Sequence, residues 1–348
     1  MKSLAHQWGG RCAAGLRLHR LWRGAGPYLG LILMFHRVAR RGELARRPFT
    51  QDLWVTQEKL DAAIQFFQRR DYEIASPDRM LDVLQAGTAP RPVVVFTFDD
   101  GFADNGELAW PIFQKHQAPA TFYITSSLPD GGFSAWPYAL EEMALRGGSF
   151  DYEFEGAAHR LPLGTMKQKR AAWAQVRDLL LALPPGKFEP FARAFFQKAG
   201  LDIQDYTRRA ALSWDQWRAL AKDPLATLGG HTASHFMLSR LEPERAFWEI
   251  EEGQARLEAE LGRPARHFAY PFGCKPPGKI TDRFMEEQFG LSSCVATCPG
   301  YLLPDHAGHR ASLPRLNVSE RTSLAQLEIA FKRMMDRAAG RACHFVTG

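Results

Sequence analysis

Val93-Val94-Val95-Phe96-Thr97-Phe98-Asp99-Asp100-Gly101 is an apolar run that ends in two adjacent carboxylates and a glycine. A short apolar run bounded by turn-forming residues reads as a strand buried on both faces, the kind that builds parallel sheets. Two Asp side chains where such a strand ends repel each other and add nothing to a core. A cation-assisted hydrolase has a use for the pair, one carboxylate to bind the metal and one to handle protons. A surface turn rich in Asp and Gly is the alternative as long as this stretch stands alone.

Similar runs occur at 29–35, 120–125, 225–230, 266–270 and 291–296. Helical patterns fill the intervals at 55–69, 105–116, 207–221, 242–261 and 281–289, with a last one near 323–338. Leu60, Ile64 and Phe67 line one face of the first, and Pro243 and Gly262 bracket the fourth as a helix start and stop should. Strands alternating with helices predict an α/β fold with a parallel sheet. Residues 131–206 interrupt the alternation with aromatic pieces, glycine pairs and a helical tract from about 166 to 199. They read as a mainly helical insertion on the rim, short of core and not an independent domain.

Three further strand ends carry polar or turn-forming clusters. His36 follows Leu31 to Phe35; His231-Thr232-Ala233-Ser234-His235 follows Gly229-Gly230; Tyr270-Pro271-Phe272-Gly273 follows Phe268-Ala269. Two histidines four apart predict one helical turn whose side chains share a divalent cation. In a parallel barrel the catalytic groups come from the C-terminal ends of several strands, so the four clusters support one another. Cys294 and Cys298 form a weaker metal motif, because no second pair accompanies them.

Composition narrows the partners. The 348 residues are 45% hydrophobic and 24% charged, as in an ordinary globular chain. Five cysteines (Cys12, Cys274, Cys294, Cys298, Cys343) are too few and uneven for a secreted disulfide framework. Residues 1–42 hold eight of the 44 Lys/Arg and no Asp or Glu, which leaves 36 basic residues against 38 acidic in the body. The net charge of +6 therefore describes an N-terminal arm, residues 1–27, and argues against nucleic acid as a partner. Leu4, Trp8, Cys12 and Leu16 give that arm an apolar stripe, suited to an anionic membrane surface or to docking on its own domain. No run reaches the roughly 18–20 apolar residues of a membrane span, and Arg11, Arg17 and Arg20 break any signal-peptide core. The expectation is a cytoplasmic protein, peripheral at the inner membrane face if the arm binds lipid.

Thr97-Phe98-Asp99-Asp100-Gly101, the 231–235 motif, Tyr270-Pro271-Phe272-Gly273, Pro119-Ala120-Thr121-Phe122 and Leu313-Pro314-Arg315 together resemble the polysaccharide deacetylase family. This family is also known as NodB-homology proteins or carbohydrate esterase family 4, and the resemblance spans roughly residues 30 to 320. It implies a distorted (β/α)7 barrel over residues 28–348, with the insertion at about 131–206 on its rim. It also implies one divalent metal ion held by Asp100, His231 and His235, with Asp99 as general base and the backbone N–H of Phe272 as oxyanion donor. Zn²⁺ is the first expectation for the ion, with Co²⁺, Ni²⁺ and Fe²⁺ as alternatives.

The chain departs from the better-known family pattern in two places. A C-terminal Leu-x-His that would supply the general acid is missing, since His306, His309 and His344 lack that context. Some exopolysaccharide deacetylases look circularly permuted, with the acid on the first strand, and His36 in Met34-Phe35-His36-Arg37-Val38 matches them. Capping the strand is its plainer role. Ala269 stands where many relatives carry the Arg that orients the base, so Arg315 is the first candidate for that task and Arg266 the second. Trp136, Tyr138, Tyr270 and Phe272 are candidates to stack on a sugar ring, with rim packing as the alternative. Asp104 and Asn105 are expected to start the following helix.

The implied activity is removal of an N-acetyl group from an amino sugar of an envelope glycan or a lipid-linked glycan precursor. Its rivals are a deformylase of a lipid-linked amino sugar, a non-catalytic carbohydrate-binding protein on the same barrel, and a metal phosphoesterase.

Overall fold

The computed structural model describes residues 28–132, 134–278 and 281–326. The proposed arm at 1–27 and nearly all of the proposed last helix lie outside these residues. Seven strands form the barrel wall: β1 (Gly30–Phe35), β2 (Val93–Phe98), β3 (Ala120–Ile124), β4 (Ala226–Gly230), β5 (His267–Ala269), β6 (Ser293–Val295) and β7 (Leu316–Asn317). They run in the order β6-β5-β4-β3-β2-β1-β7, each pair parallel. A two-residue strand, Glu73–Ile74, adds to β2 off this path. The segment leading into β7 draws the edges together. Leu313 bridges Val295 of β6 in parallel, and Leu316 and Asn317 pair with Leu33 and Met34 of β1. The result is the distorted (β/α)7 barrel that the motifs imply.

Register aligns the chemistry. Phe35 lies opposite Phe98, so His36 and Asp99 follow side by side; Gly230 lies opposite both Ile124 and Phe268, so His231 and Ala269 are brought together. Side chains alternate between two packing layers along each strand. Phe35, Phe96, Phe98 and Phe122 point outward to the helices, with ring centroids 5.2 Å apart for Phe35–Phe98 and 5.3 Å for Phe98–Phe122. Ile32, Val93, Val95, Tyr123, Ala269, Val295 and Leu313 fill the interior, where Met80, Val83 and Leu84 of helix Pro77–Ala86 join them. Thr97 and Asp99 continue the Val93/Val95 face, which directs the first carboxylate inward.

Two helical expectations are refined. The chain at 105–116 first makes a wide π-type turn, Asn105–Ala109, before the α-helix Trp110–His116. The 207–221 pattern divides into helices Ile203–Ala210 and Trp214–Leu220, the second capped by Ser213. The insertion comprises helix Trp136–Leu145, a hairpin of Ser149–Phe154 with Ala157–Pro162, and helices Met166–Ala182 and Pro185–Lys198. It is not short of core. Leu140, Val176, Leu180, Phe195 and Phe196 are buried together with Trp136 and Phe188. It is fastened to the barrel by fully buried Glu141, whose carboxylate accepts from Thr50 N–H at 3.0 Å and Thr50 Oγ1 at 2.6 Å. Among the described residues no helix is long and apolar enough to cross a membrane.

Candidate active site

Three of the tight turns that leave the C-terminal ends of the strands, at 99–101, 231–235 and 270–273, contain non-glycine residues with positive φ. Asp100 (78°), Thr232 (67°), His235 (61°) and Phe272 (56°) are four of the seven such residues described. Each costs about 1–3 kcal/mol and persists only where its surroundings impose it, and such strain gathers at functional sites. The expected helical turn at 231–235 is thereby corrected. The segment is an irregular loop, with His235 N–H donating to Thr232 Oγ1 at 3.0 Å.

Helix Pro243–Leu261 imposes that loop. Glu249 is fully buried; its carboxylate accepts from Ser234 N–H at 2.8 Å and its carbonyl from Ala233 N–H at 2.9 Å. A Cβ on Gly253 would lie 2.6 Å from the Thr232 carbonyl carbon, so the helix approaches as closely as only glycine permits. Neither residue stood out in the sequence. Their signal was an acid and a glycine on the buried stripe of Ala246, Ile250 and Leu257.

Asp100, His231 and His235 offer ligand atoms that all lie within 4.8 Å of one another. His231 Nδ1 donates to the Ala269 carbonyl at 2.7 Å, which fixes its tautomer and turns Nε2 toward Asp100. Asp100 Oδ1 is 3.5 Å from His231 Nε2 and 3.2 Å from His235 Nε2. It is buried yet aligned as a hydrogen-bond acceptor with neither. Three donor atoms that face a common space without satisfying one another fit a single cation, and one carboxylate with two imidazoles is a Zn²⁺-type donor set with positions left for water and substrate. Burial opposes ionisation of Asp100, but the charge of His235 and the contact with His231 outweigh it and hold the carboxyl well below its ordinary value. Burial likewise opposes a charge on His231, and Asp100 and Asp99 reverse the balance, raising its pKa.

Asp99 has a different partner. Arg315 Nη1 and Nη2 donate to its two oxygens at 2.6 and 2.7 Å. The same guanidinium donates to Thr97 Oγ1 at 3.1 Å and through Nε to the Ala296 carbonyl at 2.9 Å. Burial pushes the Asp99 carboxyl up, but the Arg315 charge together with His231 brings it below the ordinary value. Arg266, the second candidate, is exposed at the start of β5 and meets none of these groups.

His36 is half-buried at the break between β1 and the short strand Arg37–Ala39, and its Nδ1 is buried without a partner. Burial lowers its pKa, and the nearby charges of Asp100 and Asp99 only partly offset this. His306 is a structural group, since its Nδ1 accepts from Leu303 N–H at 3.0 Å.

The aromatic candidates separate. Phe272 is 39% exposed and packs on the His235 ring at 5.0 Å between centroids. Trp136 is buried in the insertion core yet borders the cleft that also contains His235 and Phe272. Tyr270 cannot touch a sugar, because it is fully buried, packs on Phe268 and donates its hydroxyl to the Ala311 carbonyl at 2.9 Å. Tyr138 is buried against Trp54 and Phe102. Cys294 lies in the core beside Tyr270, where burial pushes its thiol up to about 12, and among the described residues it belongs to no group of three or more metal-ligating side chains.

The barrel matches solved deacetylases. Streptococcus pyogenes deacetylase PplD, solved in complex with acetate, aligns with a TM-score of 0.56 at 17% identity over 86% of this chain and 96% of that one. IcaB from Ammonifex degensii aligns with a TM-score of 0.53 at 17% identity over 86% and 97%. At such identities the likeness is one of fold. In sequence, YxkH of Bacillus subtilis (strain 168), a proposed polysaccharide deacetylase, is 21% identical over 195 residues, 53% of this chain and 67% of that protein. Beyond the fold, the match of the sequence to a family model defines a hydrolase of the amide bond that joins an acetyl group to a sugar nitrogen. The family model described as polysaccharide deacetylase matches residues 86–175 and 191–287, and the chain belongs to that family. The unmatched 176–190 fall within the insertion, whereas His36 and Arg315 lie outside the matched spans altogether.

Proposed function

We propose that this protein is a metal-dependent deacetylase in which Asp99 is the general base and His36 the general acid. The observation that carries the reading is the opposite partnering of two adjacent carboxylates: Asp99 is locked to Arg315, while Asp100 lies between two imidazoles with one oxygen unbonded. A divalent cation held by Asp100, His231 and His235, Zn²⁺ first among the choices, would act as a Lewis acid and make water more acidic. Arg315 keeps Asp99 ionised and oriented, so it can take the proton of the attacking water. The Phe272 N–H, in its strained turn, is the donor proposed for the oxygen that gains charge. The amide C–N bond then breaks, and the nitrogen must take a proton to leave as an amine. To serve as the acid His36 must enter this step protonated: burial lowers its pKa and so favours release of that proton to nitrogen, the charges of Asp100 and Asp99 oppose the shift, and the proton that Asp99 takes from water replaces the one His36 gives up. Acetate and a free amino sugar result.

The insertion shapes the substrate. Trp136, Leu181, Leu183 and Phe188 form an apolar wall opposite His235 and Phe272. Beyond Ser234 and Phe236 lies a polar cavity of about 240 Å³ bordered by Ser127, Asp130, Glu189 and Gln204. Aromatic and apolar surface with a few polar groups suits a glycan chain, and the apolar wall favours a lipid-linked amino sugar as a second reading. The test is acetate and formate release from N-acylated hexosamine oligomers and their lipid-linked forms, using metal-stripped and reconstituted enzyme. Turnover that needs the metal supports the reading; equal turnover without metal, or none on any substrate, overturns it.

A further inference from the structure

His36 is held by groups other than its own strand. The Phe35 carbonyl accepts from Asp99 N–H at 3.0 Å, so β1 and β2 stay paired up to this point. One residue later the His36 carbonyl turns out of the ladder and accepts from Asn105 Nδ2 at 2.7 Å. Asn105 is fully buried, and Nδ2 also donates to Asp104 Oδ1 at 3.0 Å. Both partners only accept, so the orientation of the amide is fixed. Asp104 holds the next two residues, accepting from Val38 N–H at 3.0 Å and from Arg37 Nε at 2.6 Å. The Arg37 guanidinium is itself enclosed by the rings of Phe102, Trp54 and Tyr138 at 4.1, 4.3 and 4.6 Å.

Residues 36, 37 and 38 are therefore each tied to a dipeptide that follows Asp100 within one turn of chain. The wide π-type turn beginning at Asn105 brings the amide inward and leaves its Oδ1 buried without a partner. Such turns are uncommon and frequently mark functional sites. An unpaired buried carbonyl oxygen is unfavourable, and the hydrogen bonds this side chain does make are those of Nδ2 to the His36 carbonyl and to Asp104.

We propose that Asn105, backed by Asp104 and Arg37, is a positioning residue that sets His36 against the carboxylate turn so that its proton reaches the leaving nitrogen. This rests on the reading of His36 as the general acid. The clamp acts through His36 alone, so its loss should matter only where the leaving group needs a proton.

The experiment compares an N-acetyl amino-sugar substrate with p-nitrophenyl acetate, whose phenolate departs without protonation. Asn105→Ala is expected to lower kcat on the amide about 10–100-fold and on the ester less than about threefold, with metal content unchanged. Asn105→Asp, which presents an acceptor to the His36 carbonyl, is expected to give the same split and serves if the alanine variant does not fold. His36→Ala is the reference. If it separates the two substrates and neither Asn105 variant does, the clamp is overturned and the acid assignment stands. If His36→Ala slows both equally, the acid assignment fails and the clamp fails with it.

Discussion

Arg315 and Asp99 share two hydrogen bonds of 2.6 and 2.7 Å inside the barrel, where the arginine side chain is wholly inaccessible and the aspartate nearly so. A buried pair of this kind is costly to break, because removing one partner leaves an uncompensated charge, at about 3–5 kcal/mol. Arg315→Met is expected to destabilise the protein by that order. Arg315→Lys keeps the charge but loses the planar fork, so it should fold and still lose about 100-fold in kcat. Chemical denaturation and steady-state kinetics on the two variants check both halves; a fully active lysine variant contradicts the orienting role.

The adjacent carboxylates should fail in different ways. Asp99→Asn is expected to bind about one metal per chain and to lose acetate release by about 100-fold or more. Asp100→Asn and His235→Ala should lose the metal itself. Elemental analysis of the purified variants beside their rates separates the roles, and metal loss by Asp99→Asn would merge them.

Glu249 is expected to support the metal loop from outside it. Glu249→Ala removes the acceptor of Ser234 N–H and should weaken Zn²⁺ binding about 10–100-fold, as loss of outer partners of metal ligands does. Titration of the metal-free variant with Zn²⁺ reads this directly. Unchanged affinity would mean that the strained loop holds its shape unaided.

Metal uptake should depend on pH through His231. In the metal-free protein its pKa is raised, so the proton it gains is favoured below that value and must be expelled when a cation binds. Apparent Zn²⁺ affinity should fall as pH drops through a value above the ordinary histidine one of about 6.5. Asp99 works in the opposite sense. Its folded pKa is depressed, so the stability it contributes is present above the ordinary carboxylate range and is lost only in stronger acid, as pH falls through the folded value. Calorimetric titrations from pH 8 to pH 5.5 test the first statement, and a flat affinity across that range rejects it.

Much of the site was legible because its residues stand directly after apolar runs. Asp99, Asp100, His231 and His36 needed only the rule that parallel strands deliver chemistry at their C-terminal ends. The seventh strand was not legible: Leu316–Asn317 is two residues long and follows Pro314, with no periodic run to announce it. The 231–235 spacing suggested a helical turn, and the left-handed conformations of Thr232 and His235 come instead from contact with a distant helix, which local pattern cannot reveal. Tyr270 was misread although period two was available. Phe268 and Tyr270 share one face of their strand, and that face packs outward on the core around Met285 and Cys294. Asp104 and Asn105 do stand at a helix start, as their composition suggests, but composition alone does not disclose that their side chains also reach back to residues 36–38.

The guanidinium that pairs with Asp99, the proposed base, arrives on the segment that closes the barrel, not on the fifth strand, where the chain has only Ala269. Completing the wall and arming the carboxylate are thus one event. A chain synthesised past residue 235 but not yet to 315 holds Asp100, His231 and His235 and still has no partner for Asp99, so chemistry of the proposed kind waits for the last strand of the barrel.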